Sequence, residues 1–215
     1  MHLGLKGRRI AILATDGVEQ VELEEPRKAL DDAGAATHLI APEEGSIQAM
    51  NHDEKGSRIP VDRVLADARA SEYDALLLPG GLANPDRLRT DERAVHFVRE
   101  FMLSDKPVAA ICHAPWMLVE ANAVAGRTLT SWPSLQTDIR NAGGDWVDEE
   151  VRVDDRLITS RSPADLPAFC EAIVREFATA IEVAERSDLV GEQSFPASDP
   201  PPGPSAIGGE GAART

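Results

Sequence analysis

The stretch PVAAICHAPWML, residues 107–118, decides how this chain folds. Its first five residues are small or β-branched and apolar, which is typical of a buried parallel strand. A helical apolar pattern begins at Trp116 and Met117, so Cys112 falls in the turn between strand and helix. Such a turn lifts a side chain above the carboxyl edge of a sheet, and the positive end of the helix favours thiolate over thiol. Cys112 is therefore a candidate nucleophile, with a small apolar core residue as the alternative.

The rest of the chain alternates between strand and helix patterns. Apolar runs at residues 9–14, 37–42 and 73–78 predict further buried strands, and helical patterns separate them. This alternation predicts an α/β fold with a mainly parallel sheet covered by helices on both faces. Residues 151–160 predict a small hairpin with Asp154 and Asp155 at its tip, and residues 62–70 suggest a short helix.

The loops at residues 16–22 and 79–89 are expected to meet the Cys112 loop, residues 112–115, at the carboxyl edge of the sheet, where sites gather in such folds. The loop after the third strand carries Gly80 and Gly81, whose amides suit either an anion-binding nest or an ordinary tight turn. The loop after the first strand carries Glu19 and Glu22. A carboxyl buried there would have a raised pKa and donate a proton near the sulfur, whereas an exposed Glu22 would only favour the start of a helix.

His113 follows the cysteine directly and keeps three interpretations open. It is a candidate base, a candidate oxyanion donor through its backbone N–H, or a surface histidine. No His, Cys, Asp or Glu cluster with metal-ligand spacing is visible in the sequence, so neither a metal nor another cofactor is expected.

Composition limits the partners and the compartment. The 215 residues carry 22 Lys and Arg against 37 Asp and Glu, a net charge of −15, which disfavours nucleic acid and anionic membranes as partners. Two cysteines without a framework indicate a reducing, cytoplasmic setting, and no apolar run reaches the length of a membrane span. Residues 1–180 are expected to form one domain with its last helix from about Pro163 to Ala180, and the Pro- and Gly-rich residues 181–215 a disordered tail.

The combined motifs resemble one protein family. They closely resemble the PfpI branch of the superfamily that includes the Parkinson's-disease-linked deglycase, over about residues 8–179. The matching segments are AICHAP (110–115), LLPGG (77–81), DGVEQVEL (16–23), WP (132–133), NAG (141–143), DEEV (148–151) and TSRSPADLP (159–167). The resemblance implies a flavodoxin-like, doubly wound sheet.

The resemblance also implies roles for particular residues. Cys112 would be the nucleophile with His113 beside it, Glu22 the glutamate that touches sulfur, and the amides of Gly81 and His113 the oxyanion donors. In protease-like members an acidic residue from a neighbouring subunit completes a triad, and Asp86 stands at the matching position. Those members carry a tyrosine where this chain has Trp132.

Family activities imply small-molecule or peptide substrates. The leading expectation is a stress-response hydrolase or glyoxalase-type enzyme acting on reactive aldehydes or early glycation adducts. One alternative is a cysteine peptidase that is active as an oligomer, and another is a redox-sensing stress protein with an oxidisable cysteine and little turnover. Members of the family are typically homodimers or hexamers built from dimers, so a homo-oligomer is expected here.

Overall fold

A mostly parallel sheet forms the centre of the protein. The computed structural model describes residues 4–193, with side chains for residues 4–186. This part of the chain contains twelve strands: β1 (Arg9–Leu13), β2 (Val18–Glu19), β3 (Ala36–Ala41), β4 (Ser46–Asn51), β5 (Glu54–Pro60), β6 (Arg63–Val64), β7 (Ala75–Leu78), β8 (Val108–Ile111), β9 (Thr128–Leu129), β10 (Asp145–Trp146), β11 (Val151–Asp154) and β12 (Leu157–Ser160).

Seven strands build the central sheet in the order β11-β12-β8-β7-β1-β3-β6. Every pair is parallel except the hairpin of β11 and β12. The expected α/β fold with a flavodoxin-like sheet is therefore confirmed, as is the hairpin. The carboxyl ends of β1, β7 and β8 are neighbours, so the loops that follow these three strands lie at one edge of the sheet.

Helices cover both faces of the sheet. They are α1 (Gln20–Asp32), α2 (Ala83–Leu88), α3 (Glu92–Leu103), α4 (Pro115–Glu120), α5 (Gln136–Asn141) and α6 (Leu166–Gln193). Alternate residues of each strand point to opposite faces, so Ile10 and Ile12 pack under α1 and α6, whereas Ala11 and Leu13 pack under α3 and α4. Burial of these two apolar faces holds the strands in register.

A second, three-stranded sheet stands beside the first. It has the order β2-β4-β5, with β4 and β5 forming an antiparallel hairpin whose tip is residues 52–53. The amide of Gly17 donates to the carbonyl of Gln48 (2.8 Å), and the amide of Gln48 donates to Asp16 Oδ1 (2.7 Å). These bonds fix the hairpin to the loop after β1, at the same edge as Cys112.

Two boundaries differ from the sequence expectation. Residues 62–70 form the short strand β6 and 3-10 turns instead of a helix, because Asp62 accepts a hydrogen bond from the amide of Leu39 (2.7 Å) and the chain stays extended beside β3. The last helix begins after a 3-10 turn at residues 163–165 and continues beyond Ala180 to Gln193.

The longer final helix moves the expected domain boundary at residue 180. Ile181 is buried against the core, and Glu185 forms an ion pair with Arg8 (2.6 Å), so this part of the expected tail is helix attached to the domain. Residues 194–215, the remainder of the expected tail, lie outside the described residues. No helix in the described part has the length and apolar character needed to cross a membrane.

Candidate functional site

Cys112 occupies a strained turn directly after β8. Its φ of +62° is in the left-handed region, which is uncommon for a residue with a side chain and costs about 1–3 kcal/mol. The surrounding hydrogen bonds impose the turn: the amide of Cys112 donates to the Ser160 carbonyl (3.0 Å), and the amide of Trp132 donates to the Cys112 carbonyl (2.9 Å). The result is an elbow that holds the sulfur above the sheet, with the residue 6% exposed.

Glu22 is fully buried beside this elbow. It stands in the first turn of α1 on the helix face that packs inward, with no exposed surface. Its Oε2 accepts a hydrogen bond from the amide of Gly80 (3.0 Å), and its carboxyl group interacts with the Cys112 side chain. Oε1 has no conventional hydrogen-bond partner among the described residues. The structure thus brings the predicted carboxyl and thiol together.

Gly80 and Gly81 make room for the contact between Glu22 and Cys112, because neither has a side chain. A Cβ on Gly80 would lie 2.5 Å from Glu22 Oε2 and 2.7 Å from the Cys112 Cβ. Gly81 has a φ of +80°, and a Cβ there would lie 2.4 Å from the carbonyl oxygen of Gly17. The amide of Gly80 is occupied by Glu22, so it holds the carboxyl group instead of facing an oxyanion. The amides of Gly81 and His113 both act on the sulfur.

Burial controls the protonation of Glu22. The pKa of Glu22 is raised from 4.5 to about 8, chiefly by loss of solvent and further by the nearby charge of Glu19. Interactions with the Cys112 side chain and with the amides of Gly80 and Gly81 act in the opposite direction without cancelling it. Glu22 is therefore a protonated acid at neutral pH, able to donate a proton to a group above the sulfur.

The thiol of Cys112 is also harder to ionise than an ordinary thiol. Burial raises the pKa of Cys112, a negative charge on Glu22 raises it further, and the amides of Gly81 and His113 lower it. This differs from the sequence expectation of a favoured thiolate, because α4 is a single short helix of six residues and burial outweighs its field. Since Glu22 is protonated at neutral pH, its charge does not oppose ionisation there, and thiol and carboxyl group titrate as a coupled pair.

His113 places a ring nitrogen next to the sulfur. Its Nδ1 lies 3.2 Å from Cys112 Sγ, and its Nε2 lies 3.4 Å from Ser134 Oγ. Burial lowers the pKa of His113, so the ring is neutral at neutral pH and free to accept the thiol proton. The ring stacks against Trp132 with centroids 5.7 Å apart and an interplanar angle of 25°. Of the three interpretations left open for His113, the surface histidine does not fit this packing.

A cavity of about 210 Å³ opens above the sulfur. Its lining includes six of the predicted residues, namely Glu19, Glu22, Gly81, Cys112, His113 and Trp132. It also includes four residues that the sequence analysis did not single out: His52, Asp53, Leu82 and Pro163. Glu19 is 8% exposed, and its carboxylate accepts a hydrogen bond from the amide of His52 (3.0 Å). Trp132, 40% exposed, forms one wall of the cavity.

Asp86 lies apart from this cavity. It stands on α2 with its side chain 58% exposed, and its Oδ1 forms an ion pair with Arg89 (3.2 Å). Within one chain it therefore does not reach Cys112. The prediction is that Asp86 of one subunit completes a triad with the cysteine of a neighbouring subunit. This role therefore stays a prediction about an assembly of several chains.

Asn84 organises the site without having been singled out from the sequence. It is 1% exposed; its Oδ1 accepts from the amide of Thr15 (2.8 Å), and its Nδ2 donates to the carbonyls of Pro79 (2.8 Å) and Gly80 (3.0 Å). One amide side chain thereby joins the loop after β1 to the loop after β7. Its position just after a Gly-Gly pair was the only available signal.

Fold and site together define a class: α/β proteins with a cysteine at a strand-to-helix elbow, facing a buried carboxyl group. The family model described as the DJ-1/PfpI family matches residues 8–176. This chain belongs to the DJ-1/PfpI family, which confirms the resemblance seen in the sequence. Among the described residues, no group of three or more His, Cys, Asp or Glu is arranged to hold a metal ion.

Several named proteins are similar to this chain. "General stress protein 18" of Bacillus subtilis is 43% identical over 164 residues, covering 76% of this chain and 94% of the relative. "Protein/nucleic acid deglycase 2" of Escherichia coli is 41% identical over 169 residues (78% and 96%). "Putative cysteine protease YraA" of B. subtilis is 40% identical over 162 residues (75% and 94%). The crystal structure of Drosophila melanogaster DJ-1beta superposes with a TM-score of 0.73 at 25% identity, over 85% of this chain and 97% of that one.

Proposed function

We propose that this protein is a stress-response enzyme in which Cys112 attacks reactive aldehydes or early glycation adducts. The observation that carries the proposal is the strained elbow that holds the Cys112 sulfur beside a protonated, buried Glu22 in a small cavity. The names of the stress protein from B. subtilis and of the deglycase from E. coli support the same reading. The reaction type is that of a cysteine-dependent hydrolase or glyoxalase.

The geometry supports a redox-neutral sequence of steps on a 2-oxoaldehyde. His113 Nδ1 takes the thiol proton, and the sulfur bonds to the aldehyde carbon while the C=O electron pair moves to oxygen. The amides of Gly81 and His113, which act on the sulfur in the absence of substrate, donate hydrogen bonds to this oxygen in the proposed reaction, and the acid of Glu22 protonates it. The Glu22 carboxylate then removes the proton from the former aldehyde carbon, and the neighbouring ketone oxygen takes the proton held by His113, which gives an enediol. The acid of Glu22 returns its proton to the neighbouring carbon, while the hydroxyl group on the former aldehyde carbon gives its proton to Glu22 and becomes the carbonyl group of a thioester. Water cleaves the resulting thioester to release a 2-hydroxy acid and regenerate the thiol.

Cavity size favours a small substrate over a peptide. The volume of about 210 Å³ is below the usual 300–1,000 Å³ of sites for drug-sized ligands. A molecule of a few heavy atoms fits within it, and a larger glycated adduct would place only its reacting carbonyl group inside. A peptide substrate, suggested by the name of the YraA relative, would need additional surface from outside this cavity.

The test is lactate formation from methylglyoxal by purified protein, in a buffer that does not scavenge aldehydes. Wild type is expected to produce many equivalents of lactate per protein, and Cys112→Ser none. Cys170→Ser is the matched control, because Cys170 lies on α6, outside the cavity, and its loss should leave turnover unchanged. Aldehyde consumption that stops at one equivalent per Cys112 would refute the enzyme proposal.

A redox sensor is the second candidate, favoured by the same contact between Glu22 and Cys112. Two equivalents of peroxide would convert the thiolate to a sulfinate, each transferring one oxygen atom to sulfur and leaving as water, and the protonated Glu22 would donate a hydrogen bond to a sulfinate oxygen. Glu22→Gln separates the candidates. A sensor would lose selective accumulation of sulfinate at Cys112, whereas an enzyme would lose lactate turnover in the absence of peroxide.

A further inference from the structure

The cavity above Cys112 carries negative charge without a matching cation. Two carboxylates, those of Glu19 and Asp53, line it alongside the protonated Glu22, and neither Lys nor Arg is among its described lining residues. The imidazole of His113 is neutral, because burial lowers its pKa. The second histidine of the lining, His52, is 84% exposed in its side chain.

Glu19 holds its charge in a fixed position. Its side chain is only 11% exposed, and both carboxylate oxygens face the amide of His52, at 3.0 Å and 3.4 Å. A backbone amide orients the carboxylate but does not neutralise it. The ring of His52 lies 4.0 Å from Oε2 and would offset the charge only when protonated. Glu19 also acts on its buried neighbour Glu22, which shows that its field extends into the cavity.

One further group of the same cavity suits a cationic ligand. The indole of Trp132 is 40% exposed and forms a wall of the cavity, and an aromatic face attracts positive charge. This ring would serve a substrate that brings a positive charge to the reacting carbon.

We propose that Glu19 is the specificity-determining residue of this site: its carboxylate selects substrates with a positive charge near the reacting carbon and rejects those with a negative charge. The part of this inference that concerns substrates rests on the proposed function. The effect of the Glu19 charge on any ligand that enters the cavity does not depend on turnover. The substrate class that the inference names is carbonyl compounds attached to basic groups, and the class it excludes is 2-oxoaldehydes with a carboxylate, such as 4,5-dioxopentanoate.

The size of the cavity sets the expected effect. A sphere of about 210 Å³ is roughly 7 Å across, and two unit charges at that distance change a rate about threefold in a water-like medium and about fiftyfold at an effective dielectric constant of 20. The cavity opens to solvent, so the water-like value applies, and the cationic and anionic reagents shift in opposite directions. The two threefold factors multiply, so removal of the Glu19 charge is expected to change the preference for a cationic over an anionic reagent by about tenfold. Salt would reduce the preference, because the cavity opens to solvent.

The first experiment measures charge selectivity at the sulfur without requiring turnover. Two ethyl methanethiosulfonates, one with a trimethylammonium group and one with a sulfonate, each form a mixed disulfide with a thiolate and release methanesulfinate. Their rates at Cys112 are measured by intact mass in a Cys170→Ser background and normalised to 2-mercaptoethanol. The cationic reagent is expected to react faster, and the ratio of the two rates to fall about tenfold in Glu19→Gln.

The glutamine variant is matched to the geometry, since its amide oxygen can still accept from the amide of His52. Glu25→Gln removes the same charge from an exposed position outside the cavity and should leave the ratio unchanged. Glu19→Ala, which removes the hydrogen bond as well, should give the ratio of Glu19→Gln if charge is the cause. A wild-type ratio near one, or a ratio that Glu19→Gln leaves unchanged, would overturn the proposal.

The second experiment applies the same variants to turnover. The anionic substrate is 4,5-dioxopentanoate, a 2-oxoaldehyde that carries a carboxylate. The quotient of kcat/KM for methylglyoxal over this anion is expected to be high in wild type and to fall about threefold in Glu19→Gln, because only one of the two substrates is charged. If wild type turns over neither aldehyde, the proposed function fails while the reagent ratio still decides the role of Glu19. If both are turned over with an unchanged quotient in Glu19→Gln, the role of Glu19 fails and the enzyme proposal stands.

Discussion

Replacing Glu22 by glutamine removes an ionisable group from the fully buried position beside Cys112. The side chain keeps its size, its carbonyl oxygen can accept from the amide of Gly80 as Oε2 does at 3.0 Å, and its NH₂ group faces the sulfur as the protonated acid does. The substitution therefore isolates the contribution of the proton. We expect it to make the protein more stable and less active.

The magnitude follows from the pKa of Glu22. In the unfolded chain the carboxyl group loses its proton near pH 4.5, whereas in the folded protein it keeps the proton up to about pH 8. Between these values the folded state binds more protons than the unfolded state, so the free energy of unfolding of wild type falls as pH rises. The loss is under about 1 kcal/mol at pH 5 and about 3 kcal/mol at pH 7, at 1.36 kcal/mol per pH unit.

Glutamine has no such penalty, so the stability difference between Glu22→Gln and wild type should grow by roughly 2–3 kcal/mol from pH 5 to pH 7. Urea unfolding at fixed protein concentration, followed by circular dichroism at the two pH values, measures it. Glu24→Gln is the control, because Glu24 is an exposed carboxyl group of the same helix. A difference that does not change with pH, or a Glu22→Gln protein whose relative stability falls toward pH 7, would refute the argument that burial holds Glu22 protonated.

Three further predictions concern the surroundings of that pair. Gly81→Ala places a Cβ 2.4 Å from the carbonyl of Gly17 at a φ of +80°, so the variant should lose at least about 2 kcal/mol of stability in urea unfolding; an unchanged midpoint would contradict the described turn. Asp86→Ala should leave methylglyoxal turnover intact and abolish any peptide cleavage by a higher assembly, whereas cleavage by an isolated dimer would count against a shared triad. Alkylation of Cys112 by iodoacetamide should keep accelerating above pH 9, where an ordinary thiol levels off, because burial raises its pKa; a plateau below pH 9 would contradict this.

The sequence predicts those parts of the site that follow from one segment of chain or from the parallel order of the strands. The elbow at Cys112 follows from an apolar run that meets a helical pattern, since a buried strand must end where the period changes. The convergence of Glu22 and Gly81 on Cys112 follows from the parallel topology, which places the carboxyl ends of β1, β7 and β8 side by side.

The remaining features depend on contacts between distant segments. The hairpin of β4 and β5 brings His52 to the cavity because β4 pairs with β2, which follows β1 directly. No local sequence pattern predicts the pairing of β2 with β4. The use of the Gly80 amide by Glu22 is a contact across 58 residues. Likewise, α6 extends past residue 180 because Ile181 is buried in the core and Glu185 forms an ion pair with Arg8. Composition alone does not predict these two contacts.

The claim that Cys112 is a nucleophile that turns over is tested by time-resolved intact-mass spectrometry after mixing with methylglyoxal. We expect a transient adduct of one methylglyoxal, located on Cys112 by peptide mapping, that decays at the rate of lactate release. A Cys112→Ser protein should show no such transient. An adduct that persists without lactate, or one that forms on Cys170 or on basic side chains while lactate appears, would contradict the claim.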